Sequence, residues 1–198
     1  MAKFKERRSS PKVGRVPTAA VEKAAAAPAT LKDAAGFHTM DTIREFIQYD
    51  LDGGAQTEWN ERFVTPLCMA VISVDSLTKL PNQGERNRLL AIIGETLGRL
   101  TRRADRLARS SNDYVVLLRR TLAKRANDTY VPNVRKAIAD ACAEAGLKAT
   151  LSIGIASVTE HMIKSGDDMI KKAFVALDHA RKQGPEGTAI YDFRIMPY

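Results

Sequence analysis

Four polar residues, Ser110-Ser111-Asn112-Asp113, lie between two apolar, strand-like runs. A hairpin tip of this kind can bring hydroxyl, amide and carboxylate groups onto a ligand, and the same residue types are also ordinary turn formers. Arg99, Arg102, Arg103, Arg106 and Arg109 crowd residues 99–109, with Arg119 and Arg120 beyond. Guanidinium groups at that density make a positive field suited to an anionic partner. Aromatic side chains are not interleaved with them, which argues against a nucleic-acid surface. The other reactive residue types form no grouping. Cys68 and Cys142 stand far apart in apolar surroundings and read as reduced core thiols. No CxxC or Cys/His cluster suggests a metal. His38, His161 and His179 fall in unrelated contexts, so no acid–base or metal role is expected of them.

These residues need elements to place them. Ile43, Phe46, Ile47 and Leu51 recur at helical spacing behind Asp41, which offers itself as the cap, and Gly53-Gly54 ends the helix. A short helical stretch around Trp59 and Phe63 is expected next. "LCMAVISVD", residues 67–75, is a nearly continuous apolar run and predicts a buried central strand. After the polar loop "SLTKLPNQGER", a long helix carries Leu89, Ile92, Ile93, Thr96, Leu97 and Leu100 on one face. The hairpin follows, with a short strand near 105–109 and a longer one, "YVVLLRR". A second helix presents Val131, Val134, Ile138, Ala141 and Cys142 inward and stops at Gly146. "ATLSIGIASV" predicts a strand. Ser165 caps a helix carrying Ile170, Ala173, Phe174, Leu177 and Ala180 up to Gly184, and "TAIYDF" predicts the closing strand. The expected fold is an α+β sandwich with a mostly antiparallel, ferredoxin-like sheet flanked by helices.

The chain has 198 residues with 44% apolar content and a net charge of +8, enough for one ordinary domain and a tail. Residues 1–37 are basic and then Ala/Pro-rich, with eight Lys and Arg against three Asp and Glu. They predict a disordered basic tail ahead of a domain spanning 38–198. No apolar run approaches the roughly 20 residues needed to cross a bilayer. The N-terminus lacks the apolar core of a secretory signal, so a cytoplasmic location is expected.

With the elements in order, the sequence resembles a GGDEF domain of the diguanylate cyclase family over about residues 40–195. "MAVISVDSLTKLPN" resembles the family's first strand and loop. "RRADRLARSSNDYVVLL" resembles "RxxDxxARxGGDEFxxLL", "LSIGIASV" resembles "SIGVA", and "DDMIKKAFVALDHARKQG" resembles the last helix. The resemblance implies a nucleotide-cyclase-like fold. In active members it implies synthesis of cyclic di-GMP from two GTP, one per subunit of a dimer, with metal held by carboxylates.

The departures from the family pattern shape the expectation for this chain. The family's first-strand metal carboxylate falls on Ser73, two residues before Asp75, and the signature carboxylate falls on Asn112. The turn Ser110-Ser111-Asn112-Asp113-Tyr114 is one residue short and has lost both glycines. The loop lysine aligns with Thr78, beside Lys79. The last-helix lysine aligns with Arg181, and the arginine after the final glycine aligns with Pro185. Asn82 and Asn87 lie near the guanine-reading positions, in a shortened loop. One element matches in identity, the RxxD motif at Arg102 and Asp105. In the family this motif implies a cyclic di-GMP site, with Arg99 and Arg106 adding positive field here. The expectation is a degenerate GGDEF-like domain without catalytic residues, metal or cofactor, acting as a cyclic di-GMP receptor or signalling scaffold. The alternative is a protein-interaction module docking through its fold and tail. A weak diguanylate cyclase is the third reading. Partners expected are cyclic di-GMP, another protein and a second copy in a homodimer, with no nucleic acid.

Overall fold

In a computed structural model that describes residues 32–33, 35–53 and 66–196, the apolar run after Pro66 is the central strand. This strand, β1 (Leu67–Val74), is buried at every position. It pairs antiparallel with β3 (Asp113–Arg119) on one side and with β4 (Leu151–Ser157) on the other. The edge strand β2 (Arg106–Ser110) runs antiparallel to β3, and β5 (Thr188–Ile190) runs parallel to β4. The order is β2-β3-β1-β4-β5, so the sheet is mixed and mostly antiparallel, as the sequence predicts.

Two apolar faces cover a central strand on both sides, because successive side chains point to opposite faces. Cys68, Ala70 and Ile72 join Tyr114, Val116, Ile153 and Ile155 beneath α2 (Gln83–Leu100) and α4 (Val131–Glu144). Met69 and Val71 join Val115, Leu117 and Ala156 beneath α1 (Met40–Leu51) and α5 (Gly166–Lys182). Both cysteines are free and buried. β4 and α5 approach so closely that a Cβ on Gly154 would lie 2.2 Å from the Leu177 nitrogen.

Several boundaries differ from expectation. Thr39, not Asp41, caps α1, its Oγ1 accepting from the Thr42 N–H at 3.2 Å. Asp41 sits in the first turn, where its charge suits the helix N-terminus, and it pairs with Arg44. The earlier start follows from the preceding segment, which is seated on the sheet. His38 N–H donates to the Leu107 carbonyl of β2, and Phe37 stacks edge-on against Tyr114. The packed domain therefore begins before residue 38, while most of the 1–37 segment, and Trp59 and Phe63, lie outside the described residues. β2 begins at Arg106, leaving Asp105 in the turn before it. α4 is led in by α3 (Ala123–Arg125) and a π-turn, Ala126–Tyr130. β5 stops at Ile190 because Asp192 turns the chain, its carbonyl accepting from the Ile195 and Met196 N–H groups.

Candidate functional site

Two places gather the residues that the sequence singles out. The first is a cleft of about 610 Å³ at the end of β1. Ser73, the 3-10 turn Asp75–Lys79, the hairpin tip and the end of α5 all open onto it. At the tip, Ser110 and Asp113 form the last rung of the β2–β3 ladder, so the loop is only Ser111-Asn112. Ser111 takes φ 57°, the left-handed region that glycine enters without steric cost. Arg109 Nε donates to the Ser111 carbonyl at 2.9 Å and staples the tip. Tyr114 is fully buried and donates to the Leu90 carbonyl, which makes it a core anchor.

The cleft holds a partly exposed ion pair between Arg181 and Asp113. Arg181 Nη2 donates to Ser73 Oγ at 2.6 Å and to both Asp113 oxygens at 3.1 and 3.2 Å. Asn112 is exposed on the rim, and Thr78 and Lys79 are exposed across from it. Asp75 accepts from the Glu186 N–H at 3.2 Å and so ties the loop after α5 to β1. Pro185 lines the wall and offers no N–H. The two asparagines are engaged on α2. Asn82 caps the helix by accepting from Glu85 N–H at 2.8 Å, and Asn87 accepts from Gln83 Nε2 at 2.9 Å.

The second place is a smaller cavity of about 150 Å³ between the end of α2, β3 and the α3–α4 segment. Arg102 and Asp105 both line it. Asp105 is 6% exposed and organises the turn into β2. Its carboxylate accepts from the Arg102 N–H at 3.3 Å and the Arg119 N–H at 3.0 Å. A carboxylate oxygen can accept two hydrogen bonds, and each Asp105 oxygen accepts one of these N–H groups, so capacity toward the cavity remains. The Arg102 side chain is exposed at the mouth.

Arg99 and Arg106 do not join them. Arg99 lies on the outer face of α2, 3.9 Å from Glu95. Arg106 stacks 4.5 Å over the Phe46 ring of α1 and donates to the Arg103 and Asp105 carbonyls. As the residue after Asp105 on an emerging strand, it is directed toward the α1 face. Sequence reasoning missed Arg125, Tyr130 and Asn133, which complete the cavity wall. The signal for Tyr130 is slight: a phenol four residues before Val134, where the inward stripe calls for an aliphatic side chain.

The fold has counterparts among solved structures. The GGDEF domain of DgcB from Caulobacter crescentus, solved in complex with c-di-GMP, matches at 15% identity with a TM-score of 0.65, covering 94% of this chain and 99% of that one. The active GGEEF domain of a diguanylate cyclase from Vibrio cholerae matches at 15% identity and TM-score 0.61, covering 78% and 97%. This chain has the fold of a GGDEF domain. Diguanylate cyclase SiaD from Pseudomonas aeruginosa, solved with its activator SiaC, matches this GGDEF-like domain at 17% identity and TM-score 0.62, covering 87% of this chain and 64% of that one. No family model matches the sequence, and no curated protein matches it significantly. No helix among the described residues of the GGDEF-like domain is long and apolar enough to cross a membrane.

Proposed function

We propose that this GGDEF-like domain binds cyclic di-GMP through Arg102 and Asp105 and does not convert GTP. The observation that carries the binding reading is the convergence of Arg102 and Asp105 on one cavity. A guanidinium fork can hold the guanine O6 and N7 acceptors or a phosphate by two points. The remaining acceptor capacity of Asp105 suits the guanine N1 and N2 hydrogens. The match to a domain solved with c-di-GMP supports the same ligand.

The loss of turnover rests on the larger cleft. Hard divalent ions take anionic oxygen ligands, and the residues here do not fit one. Ser73 and Asn112 are uncharged, Asp113 is paired with Arg181, and Asp75, the other carboxylate lining the cleft, has no second carboxylate free to join it. Among the described residues no three His, Cys, Asp or Glu side chains are grouped to hold a metal. The guanidinium bridges Ser73 Oγ and Asp113, so a metal ion would meet a fixed positive charge at the point where anionic ligands would have to converge. Calorimetric titration of the full chain with cyclic di-GMP tests the binding reading. The expected result is a Kd on the order of micromolar, abolished in Arg102→Ala.

One observation favours a second reading, a protein-interaction module without nucleotide. Met162, Phe193 and Ile195 are 80%, 71% and 60% exposed. The loops that carry Met162 and Phe193 are joined by the edge contact of His161 with Tyr191. Absence of ligand heat, together with capture of a partner that requires residues 1–37, selects this reading.

A further inference from the structure

The turn that carries Arg102 and Asp105 is gripped from its far side by α1. Within the turn, Asp105 N–H donates to the Arg102 carbonyl at 3.0 Å, and the Asp105 carboxylate accepts from the Arg102 and Arg119 N–H groups. On the outside, two arginines join the turn to one helix. Arg106 Nη1 donates to the Arg103 carbonyl at 3.1 Å and to the Asp105 carbonyl at 2.9 Å, while its guanidinium lies 4.5 Å over the Phe46 ring. Arg119 Nη2 donates to Asp50 Oδ1 at 2.6 Å, and the Asp50 side chain is only 8% exposed. Phe46 and Asp50 stand one helical turn apart on α1, so they share a face. Burial pushes the Asp50 carboxyl above its ordinary pKa, against the pull of the Arg119 and Arg106 charges, so both arginines act on that one carboxylate. The chain ahead of α1 is fastened to the same strand, with His38 N–H donating to the Leu107 carbonyl at 3.0 Å.

We infer that Phe46 and Asp50 are positioning residues for the ligand: through Arg106 and Arg119, α1 sets how Asp105 is held relative to Arg102, so the seating of this helix governs affinity for cyclic di-GMP. The inference rests on the binding reading above and adds the element that regulates the site. Neither Phe46 nor Asp50 lines the cavity, so both act through the arginines. A guanidinium suits this role because its planar fork stacks on a ring and donates to several carbonyls at once. Loss of the Phe46 ring leaves Arg106 without its platform and loosens its hold on the Arg103 and Asp105 carbonyls. Loss of the Asp50 charge releases the Arg119 side chain beside the N–H that holds Asp105. Coupling between two places is reciprocal. A ligand that requires the ordered turn tightens α1, and whatever displaces α1 from the sheet weakens the ligand's hold.

Calorimetric titration of the full chain with cyclic di-GMP, beside Asp50→Asn, Phe46→Leu and Asp41→Asn, tests the assignment. Each protein is titrated below the onset of its thermal melting, so that lost stability does not enter the Kd. Asp50→Asn and Phe46→Leu are each expected to bind about three- to tenfold more weakly. Asp41→Asn, which breaks the pair with Arg44 in the first turn of α1, is expected to keep the wild-type Kd. The sign of the Asp50→Asn effect separates positioning from charge. Removing a carboxylate beside two arginines makes the local field more positive, which alone would tighten the hold on an anionic ligand. Unchanged or tighter binding in Asp50→Asn would therefore overturn the role of α1 while leaving the binding reading standing. An equal loss of affinity in Asp41→Asn would overturn it too, because the effect would then not pass through the two arginines. Should Asp50→Asn fail to fold, Phe46→Leu carries the same test, and an unchanged Kd there would overturn the inference. No heat with the wild-type chain would remove the binding reading and this inference together.

Discussion

Ser111 and Asp105 illustrate two ways in which a side chain at a turn constrains what the site can do. Ser111 holds φ 57° with a Cβ in place, a conformation that costs an L-residue roughly 1–2 kcal/mol relative to glycine. Ser111→Gly is therefore expected to raise the unfolding free energy by up to about 1 kcal/mol, read from urea denaturation, since Arg109 staples the backbone carbonyl and not the side chain. Asp105 does the opposite work. Removing its carboxylate leaves the Arg102 and Arg119 N–H groups unpaired, so Asp105→Ala is expected to cost about 2 kcal/mol or more. That loss makes Arg102→Ala the cleaner test of ligand binding. His161 adds a pH dependence. Its Nδ1 accepts from the Ser157 N–H at 2.8 Å, and burial lowers its pKa from 6.5. Below pH 6.5 the unfolded chain takes up a proton that the folded chain resists, so stability is full above that pH and falls as the pH drops toward the folded value. Denaturation across pH 5–8 is expected to show this fall, and to show it less steeply in His161→Asn. A flat profile would contradict the account.

At the scale of elements, the tightest constraint is the seating of α5 on β4. A methyl at Gly154 would collide with backbone atoms of Ala173 and Leu177, which cannot yield as a flexible side chain can. Gly154→Ala is expected to destabilise the domain by about 3 kcal/mol or more, or to prevent recovery of soluble protein. A near-neutral effect would show that the helix can lift. The strands and long helices were legible in the sequence because burial writes them directly. β1 is apolar throughout since both its faces are covered, and α2 repeats at 3.6 residues because one face is. The boundaries were less legible because distant contacts set them. Thr39 became the cap of α1 once Phe37 and His38 had docked beside β3 and on β2, and β5 shortened because Asp192 diverts the chain. The π-turn before α4 leaves no pattern in composition. That is why Tyr130 and its cavity left only a slight trace in the sequence, while Arg102 and Asp105, only three residues apart, were plain.

For the molecule as a whole, each of the two sites brings an arginine and an aspartate to one place. The cleft at the end of β1 carries Arg181 against Asp113 and Ser73, and the cavity by α2 keeps Arg102 facing solvent beside Asp105. Ser73, Thr78, Lys79, Arg181 and Pro185, singled out by the resemblance to the GGDEF family, line the cleft, while Asn82 and Asn87 do not. The sequence did not foretell that Arg181 would pair with Asp113 and Ser73, because that contact joins the end of α5 to the hairpin and to β1, which are far apart in sequence. Arg106 stands apart from the cavity beside Asp105 because it is held over Phe46 on the α1 face. The central claim is that this arrangement retains recognition and has lost turnover. Incubation of the full chain with GTP and Mg²⁺, followed by chromatographic separation of the nucleotides, tests it most directly. The account predicts GTP recovered unchanged after prolonged incubation. Appearance of cyclic di-GMP above the level of a protein-free control would contradict it.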